Sequence, residues 1–359
     1  MKRLLAFILI FVILISSSGC RLGGPKKYSV EFFGVFDTVT QVIGYAESQS
    51  KFDYFSNKIE KRLQDLTKLY DIYNTYEGIS NLKTINDNAG KQPVHVDKDI
   101  INMLKFSRDK YALTEGRVNI ALGAVLSIWH DYREAGISDP KNAKLPPMDK
   151  LEDANKHTNI NDVVIDETND TVFLRDPEMS LDVGAIAKGY AVEIVAKEIE
   201  AEGFTSGVIS VGGNVRVIGH PSDGVRKRWG IGLQDPKAEI NGTQNLLDTV
   251  FVKDSSVVTS GDYQRYYIVD GKRYNHIIDP DTLMSADKFR AVSVVTADSG
   301  LADALSTCLF ILDYEDGLKL VQSIPGVEAC WVMKDDSIKA TDGMKKIMKK
   351  LGGATGSEG

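Results

Sequence analysis

The pair Asp270-Gly271 stands between two runs rich in β-branched and aromatic residues, Tyr266 to Val269 and Arg273 to Ile278. A two-residue connection of type I′ needs positive φ at both central positions, which Gly adopts freely and Asp tolerates. The two runs are therefore expected to form an antiparallel hairpin, with His276 leaving its second strand just before Asp279-Pro280 ends it. Further on, Ser299 is placed to cap a helix whose apolar residues Leu301, Ala304, Leu305, Leu309 and Phe310 recur with a helical period. Asp303 and Thr307 are four apart and so share one face of it. A carboxylate and a hydroxyl in that arrangement offer two hard oxygens, which suit Mg²⁺ better than zinc. Taken alone, D-x-x-x-T is more often the polar face of an amphipathic helix, and its context has to decide.

At 359 residues the chain can bury a large core, and charged and apolar fractions of 26% and 43% are those of an ordinary folded protein. A net charge of −7 argues against a nucleic-acid groove. The three cysteines, Cys20, Cys308 and Cys330, form no C-x-x-C and no disulfide framework. Cys308 and Cys330 lie in apolar runs and are expected to be buried and inert.

Cys20 belongs to a different pattern. Lys2 and Arg3 precede the apolar run Leu4 to Ile15, and Ser16-Ser17-Ser18-Gly19-Cys20 follows. That run falls short of the roughly 20 residues that cross a bilayer, so it reads as a signal peptide, residues 1–19, and not as part of the fold. Small residues ahead of the first cysteine resemble a bacterial lipobox, with Ser17 where that pattern usually has leucine. Acylated Cys20 would anchor the protein at the cell membrane, facing outside the cytoplasm. Residues 20–27 then form a tether, 28–351 one catalytic unit and 352–359 a flexible tail.

Between these ends the periodicities alternate. Tyr28 to Tyr45 suggests one or two strands. Ser50 to Tyr73 carries Phe52, Phe55, Ile59, Leu63, Leu66 and Leu69 on a helical stripe, and Asp97 is placed to cap a helix over Lys98 to Thr114. In Trp129-His130 the histidine reads as a packing residue more readily than as a catalyst, and Ile137 to Lys150 as a loop or lid. Asp182 is a plausible cap for a helix with Ile186, Tyr190, Ile194, Val195 and Ile199 on its apolar face and Gly203 at its end. Lys188 in its first turn would let the helix N-terminus and one ammonium meet the same phosphate. Gly207 to Val211, the turn Gly212-Gly213-Asn214 and Val215 to Gly219 read as strand, turn and strand, and Met344 to Leu351 as a peripheral basic helix. No G-x-G-x-x-G and no Walker A sequence occurs.

Together the motifs resemble the ApbE family, the FAD:protein FMN transferases. The matches run in order: Phe36-Asp37-Thr38, Ile79-Ser80, Gly116 to Gly123, Leu181 to Ala191, Gly212-Gly213-Asn214, Ser260 to Asp262, His276 to Pro280, and Ala302 to Thr307. The resemblance implies an α+β fold of antiparallel sheets with flanking helices, and a site for FAD and Mg²⁺. Carried over by position, the metal ligands are Asp303, the Thr307 hydroxyl and the carbonyls of Ala185 and Ser306. Flavin-nucleotide contacts are Phe36, Tyr73, Arg117, Val118, Asn119, Asp182, Lys188, His276 and Ile278. Three positions depart from the family pattern: Phe36 replaces methionine, Asn119 aspartate, and Lys83 asparagine.

The implied reaction is Mg²⁺-dependent transfer of FMN from FAD to a Thr or Ser hydroxyl of an acceptor flavoprotein in an extracytoplasmic electron-transfer chain, with AMP released. Asp303 serves it through the metal. His276, with an ordinary pKa near neutral, is either the base for the hydroxyl proton or a residue stacked on the nucleotide. Two alternatives remain open at this level. A Mg²⁺-dependent FAD pyrophosphatase shares every site residue, and a lipid-anchored flavin-binding protein without turnover needs the pocket but not the metal pair.

Overall fold

The computed structural model describes residues 24–237 and 246–357. The signal peptide, the lipobox and Cys20 lie outside the described residues. Eight strands form one sheet in the order Lys26–Val35, Thr38–Ala46, Gly207–Val211, Asn214–Ile218, Ser256–Gly261, Phe289–Thr296, Glu328–Met333 and Ile338–Ala340. Every neighbouring pair is antiparallel, and the order across the sheet is the order along the chain. The sheet is thus a meander from which long excursions depart and return. The first strand starts at Lys26, inside the expected tether.

Alternation along the central strands explains why both faces are buried. Val292 and Val294 point to one side, against the helix Ser299–Ile311, while Val257, Val295 and Cys330 point to the other. That second face is covered by the two-stranded ribbon Trp229–Gln234 and Leu246–Val252 and by Met344 and Met348, both fully buried. The C-terminal basic segment is therefore not peripheral: its lysines face water while its methionines close the core. Cys308 and Cys330 are buried free thiols, and burial pushes each up to about 12, which leaves them inert as expected.

The helix Gln49–Tyr70 lays Phe52, Phe55, Ile59, Leu63 and Leu66 on the first face, and Lys98–Leu113 is capped by Asp97. The hairpin Tyr266–Val269 and Lys272–Asn275 turns at Asp270 (φ 50) and Gly271 (φ 77), as its turn chemistry requires. Its second strand stops at Asn275, because the Asn275 side chain accepts from Ile277 N and donates to Ala286 O, which pulls the chain out of the ladder. His276 thus follows the strand instead of ending it. Two caps also differ from expectation. Asp298, not Ser299, caps the 299–311 helix through Leu301 N. The other helix begins only at Ala187, since Asp182 bonds Gly184 N within the preceding loop. Ile137 to Lys150 is no lid: it closes the helix Gly123–Ser138, makes a short 3-10 turn and enters Met148–Asn155, pinned by the Tyr267 hydroxyl on Lys144 O.

One buried ion pair fixes how the layers meet. Glu193, 5% exposed, accepts from Arg216 Nε at 3.1 Å and from the backbone N of Ser299 at 2.8 Å. Lys197 reaches its other oxygen at 3.2 Å. Helix 187–201, strand 214–218 and the start of helix 299–311 are joined through this one carboxylate. Removing Glu193 leaves buried Arg216 with Glu200 at 3.4 Å as its remaining acidic partner, so Glu193→Ala is expected to cost about 2–4 kcal/mol, read as a lower urea midpoint with an unchanged slope. A loss under about 1 kcal/mol would show that Arg216 finds water instead.

Candidate active site

The returning ends of the excursions enclose a cleft of about 720 Å³. Its floor is built where helix 187–201 crosses helix 299–311 at Gly189. A Cβ at that position would lie 2.5 Å from the Asp303 Cβ and closer still to the Ser299 carbonyl, so only glycine permits the approach. The contact lets Gly189 N donate to Asp303 Oδ2 at 2.8 Å, with Asn214 Nδ2 at 3.4 Å on the same oxygen. Asp303 is 5% exposed, and its other oxygen takes neither of these bonds. Burial pushes its carboxyl above the ordinary range, against the pull of Lys188 and the Gly189 amide.

These features suit a hard cation. No three His, Cys, Asp or Glu side chains cluster as a metal site among the described residues. Asp303 and Thr307 both line the cleft, with Ala185 across from them on the 182–187 loop. The Asn214 Oδ1 is buried beside them without a partner. A buried carboxylate with one oxygen uncommitted, next to a hydroxyl and a carbonyl-bearing loop, is an oxygen-rich seat of the kind Mg²⁺ takes. Ser306 is placed differently. It does not line the cleft, and its hydroxyl braces the helix against Ser260 Oγ at 2.8 Å and Asp303 O at 3.0 Å.

Every other site residue read from the sequence lines the cleft: Phe36, Tyr73, Arg117, Val118, Asn119, Asp182, Lys188, His276 and Ile278. They differ in what they have to offer a ligand. Val118 and Ile278 are apolar wall, each nearly fully buried. Asn119 is occupied at both ends, its Oδ1 capping Ala121 N at 2.9 Å and its Nδ2 donating to Thr158 O at 2.9 Å. Arg117 is paired with Asp281 and lies 3.7 Å from Asp279. Lys188 makes no ion pair with a described residue. The amides around it are already used: Ala187 N bonds Val183 O and Gly189 N bonds Asp303, so the side chain, more than the helix N-terminus, is what an anion would meet. Lys83 bonds Asp87 away from the cleft, so the departure at that position leaves the wall unchanged.

Three residues given no site role from sequence also line the cleft. Arg133 and His130 are three apart on helix 123–138, a spacing that signals a shared face, and Arg133 Nη2 lies 2.9 Å from His130 Nδ1. His130 packs on the Tyr73 ring at 5.3 Å, on the cleft wall, whereas Trp129 is the core residue, bonded to Leu283 O. Arg265, two residues before the hairpin's first paired residue but one, accepts His276 N at its carbonyl at 3.0 Å. Burial, then the positive charges of Arg265, Lys188 and Arg133, lowers the pKa of His276 from the usual 6.5 to about 3. Its Nδ1 is buried without a hydrogen-bond partner among the described residues. Asp182 responds in the opposite sense, pushed up by burial while the Gly184 amide and the same arginines pull it down.

The family model described as the ApbE family matches residues 36–331. The chain belongs to the ApbE family. Among its relatives, the FAD:protein FMN transferase of Klebsiella pneumoniae (strain 342) is 32% identical over 282 residues, 78% of this chain and 84% of that protein. The FAD:protein FMN transferase of Treponema pallidum (strain Nichols) is 34% identical over 286 residues, 76% of each. The crystal structure of the ApbE protein from Thermotoga maritima MSB8 superposes with a TM-score of 0.76 at 27% identity, covering 90% of this chain and 99% of that one. The flavin transferase ApbE from Vibrio cholerae, at 22% identity and a TM-score of 0.73, covers the same shares and bears on the fold alone. The α+β architecture of antiparallel sheets and flanking helices is thus that of ApbE structures.

For this ApbE member the electrostatics yield a direct expectation. In the substrate-free protein the His276 ring stays neutral well below pH 6.5 and protonates toward about 3. Adding ADP neutralises the three cations and moves that transition upward, read from imidazole ¹⁵N shifts. A substrate-free transition near 6.5 would mean that His276 is solvated.

Proposed function

We propose that this chain transfers the FMN half of FAD to a Thr or Ser hydroxyl of an acceptor flavoprotein and releases AMP, in a Mg²⁺-dependent reaction. The observation that carries the reading is a single cleft lined both by hard oxygen donors and by cations without an ion-pair partner among the described residues. Asp303 and Thr307 line it together with Lys188, Arg133 and Arg265, and Phe36 and Tyr73 contribute aromatic rings to the same wall. That combination suits a diphosphate joining two ring systems. The names of the relatives at 32% and 34% identity point to the same substrate.

In such a reaction the acceptor oxygen forms a bond to the FMN-side phosphorus as the bond from that phosphorus to the AMP oxygen breaks. Phosphoryl transfer of this type depends on alignment and charge neutralisation more than on a strong nucleophile. Mg²⁺ held by Asp303, the Thr307 hydroxyl and the carbonyls of Ala185 and Ser306 would neutralise charge on the diphosphate oxygens. Lys188 adds an ammonium to the same field, and Phe36 and Tyr73 present ring faces to the planar ends of the substrate. His276 enters neutral and so able to accept the hydroxyl proton; the substrate's own negative charge offsets the nearby cations and makes it a better base as the complex forms. AMP leaves as a phosphate anion carrying the electron pair of the broken bond, and the hydroxyl proton taken by His276 passes on to solvent or to that phosphate.

The leader argues for the place of this reaction. With acylation at Cys20 the catalytic unit works at the outer side of the cytoplasmic membrane, and acceptors are flavoproteins of electron-transfer chains there.

The test is incubation of the protein with FAD, Mg²⁺ and an acceptor flavoprotein, followed by mass spectrometry of the acceptor. The expected result is an FMN adduct on Thr or Ser with AMP in solution. Free FMN and AMP without adduct would make the protein a pyrophosphatase, and no AMP would make it a binding protein. Asp303→Ala is expected to lower AMP release at least about tenfold, since even partners that only orient metal ligands cost that much. Unchanged release would remove Asp303 from the cation seat.

A further inference from the structure

Among the cleft's arginines, two are already engaged. Arg117 is neutralised by Asp281 and Asp279, and Arg133 lies against His130 with Glu134 at 3.4 Å. Arg265 is different: its side chain makes no ion pair or hydrogen bond with any described residue. It is also exposed within the cleft, so its guanidinium is free to meet a ligand. Its backbone is fixed, because the carbonyl holds His276 N at 3.0 Å and the hairpin follows at once. Its charge reaches Asp303, Asp182, Tyr73 and His276, lowering the first, second and last of these and easing ionisation of Tyr73. Arg265 lines the same cleft as all four of these residues.

We propose that Arg265 binds the diphosphate of the dinucleotide, meeting its oxygens within the cleft that Asp303 and Thr307 also line. This rests on the functional reading above and deepens it by naming the protein's own cation for the substrate. A guanidinium presents paired N–H donors that match phosphate oxygens, whereas an ammonium acts as a point charge. Lys188 and Arg265 therefore divide the work: Lys188 lies near Asp303 and sets the field at the floor, and Arg265 fixes the orientation of the phosphates above it. Because Arg265 carries His276 on its carbonyl, a ligand that draws the guanidinium inward also holds the imidazole in register with the phosphate.

The experiment compares equilibrium binding of FAD and riboflavin by flavin fluorescence, with EDTA present so that no divalent cation contributes. Wild type is expected to bind FAD more tightly than riboflavin. Arg265→Ala is expected to weaken FAD at least about tenfold, the scale of a hydrogen bond to a charged group, while riboflavin changes by less than about twofold. Arg265→Lys should restore part of the loss, through charge without the fork. Equal weakening of both flavins would overturn the proposal by making Arg265 a structural residue. Unchanged FAD affinity, or a wild type with no preference for FAD over riboflavin, would overturn it as well. Adduct formation by wild type is scored separately, so a failed transferase reading leaves the binding result standing, and a failed binding result leaves the transferase reading standing.

Discussion

A carboxylate held inside the core is the constraint on which the rest depends. Asp303 sits where two helices touch, and it is stable there because the Gly189 amide at the start of one helix donates to it across the contact. That contact in turn depends on the Glu193 and Arg216 pair, which ties the start of helix 299–311 to the neighbouring helix and strand. A single displacement of helix 299–311 would therefore move Asp303 and Thr307 together and separate both from Gly189. The meander beneath contributes rigidity: its central strands are buried on both faces, so the floor of the cleft has no soft side.

Much of this was legible in the sequence, and the failures have physical causes. The Asp270-Gly271 turn, the stripe from Phe52 to Leu66 and the shared face of Asp303 and Thr307 all follow from local stereochemistry, which needs no knowledge of the fold. The start of helix 187–201 was misplaced by several residues because Asp182 is a good cap in isolation, and only the loop that bonds it to Gly184 diverts it. Similarly, Ser299 and Asp298 are both competent caps, and local sequence does not rank them. The end of the second hairpin strand depended on Asn275, whose side chain reaches Ala286, eleven residues on. Met344 and Met348 looked peripheral because their neighbours are lysines, yet the ribbon opposite them leaves an apolar gap that they fill.

Site residues were found where a motif carried them and missed where only geometry did. Arg133 and Arg265 come from different elements, and nothing in their spacing along the chain brings them to one cleft. What unites them is the electrostatic balance of the pocket. Arg117 has acidic partners within ion-pair distance, while Lys188 and Arg265 form no ion pair with a described residue, so their charges are available to a ligand. Cations that line a cleft without an ion-pair partner are available to an anion. The lowered pKa of His276 reflects burial first and then these cations, Arg265, Lys188 and Arg133.

The turn at Phe36 and Asp37 extends the argument to the aromatic wall. Both residues have positive φ, 47 and 52, a region that costs an ordinary side chain about 1–2 kcal/mol. Glycine at Phe36 would remove that cost, and Gly34 shows that the hairpin already uses one nearby. The strain is sustained by what surrounds it: Val35 is fully buried, Phe36 N donates to Thr67 Oγ1 at 3.4 Å, and Thr38 is packed where Gly212 leaves room. The gain is a ring directed into the cleft, 6.5 Å from Tyr70 and near parallel to it. Strained backbone that presents a large side chain to a cavity is more economically explained by a ligand that uses the side chain than by the needs of the turn. The departure from methionine at this position then has a physical sense: a flat ring replaces a flexible thioether on the wall where a planar substrate is to lie.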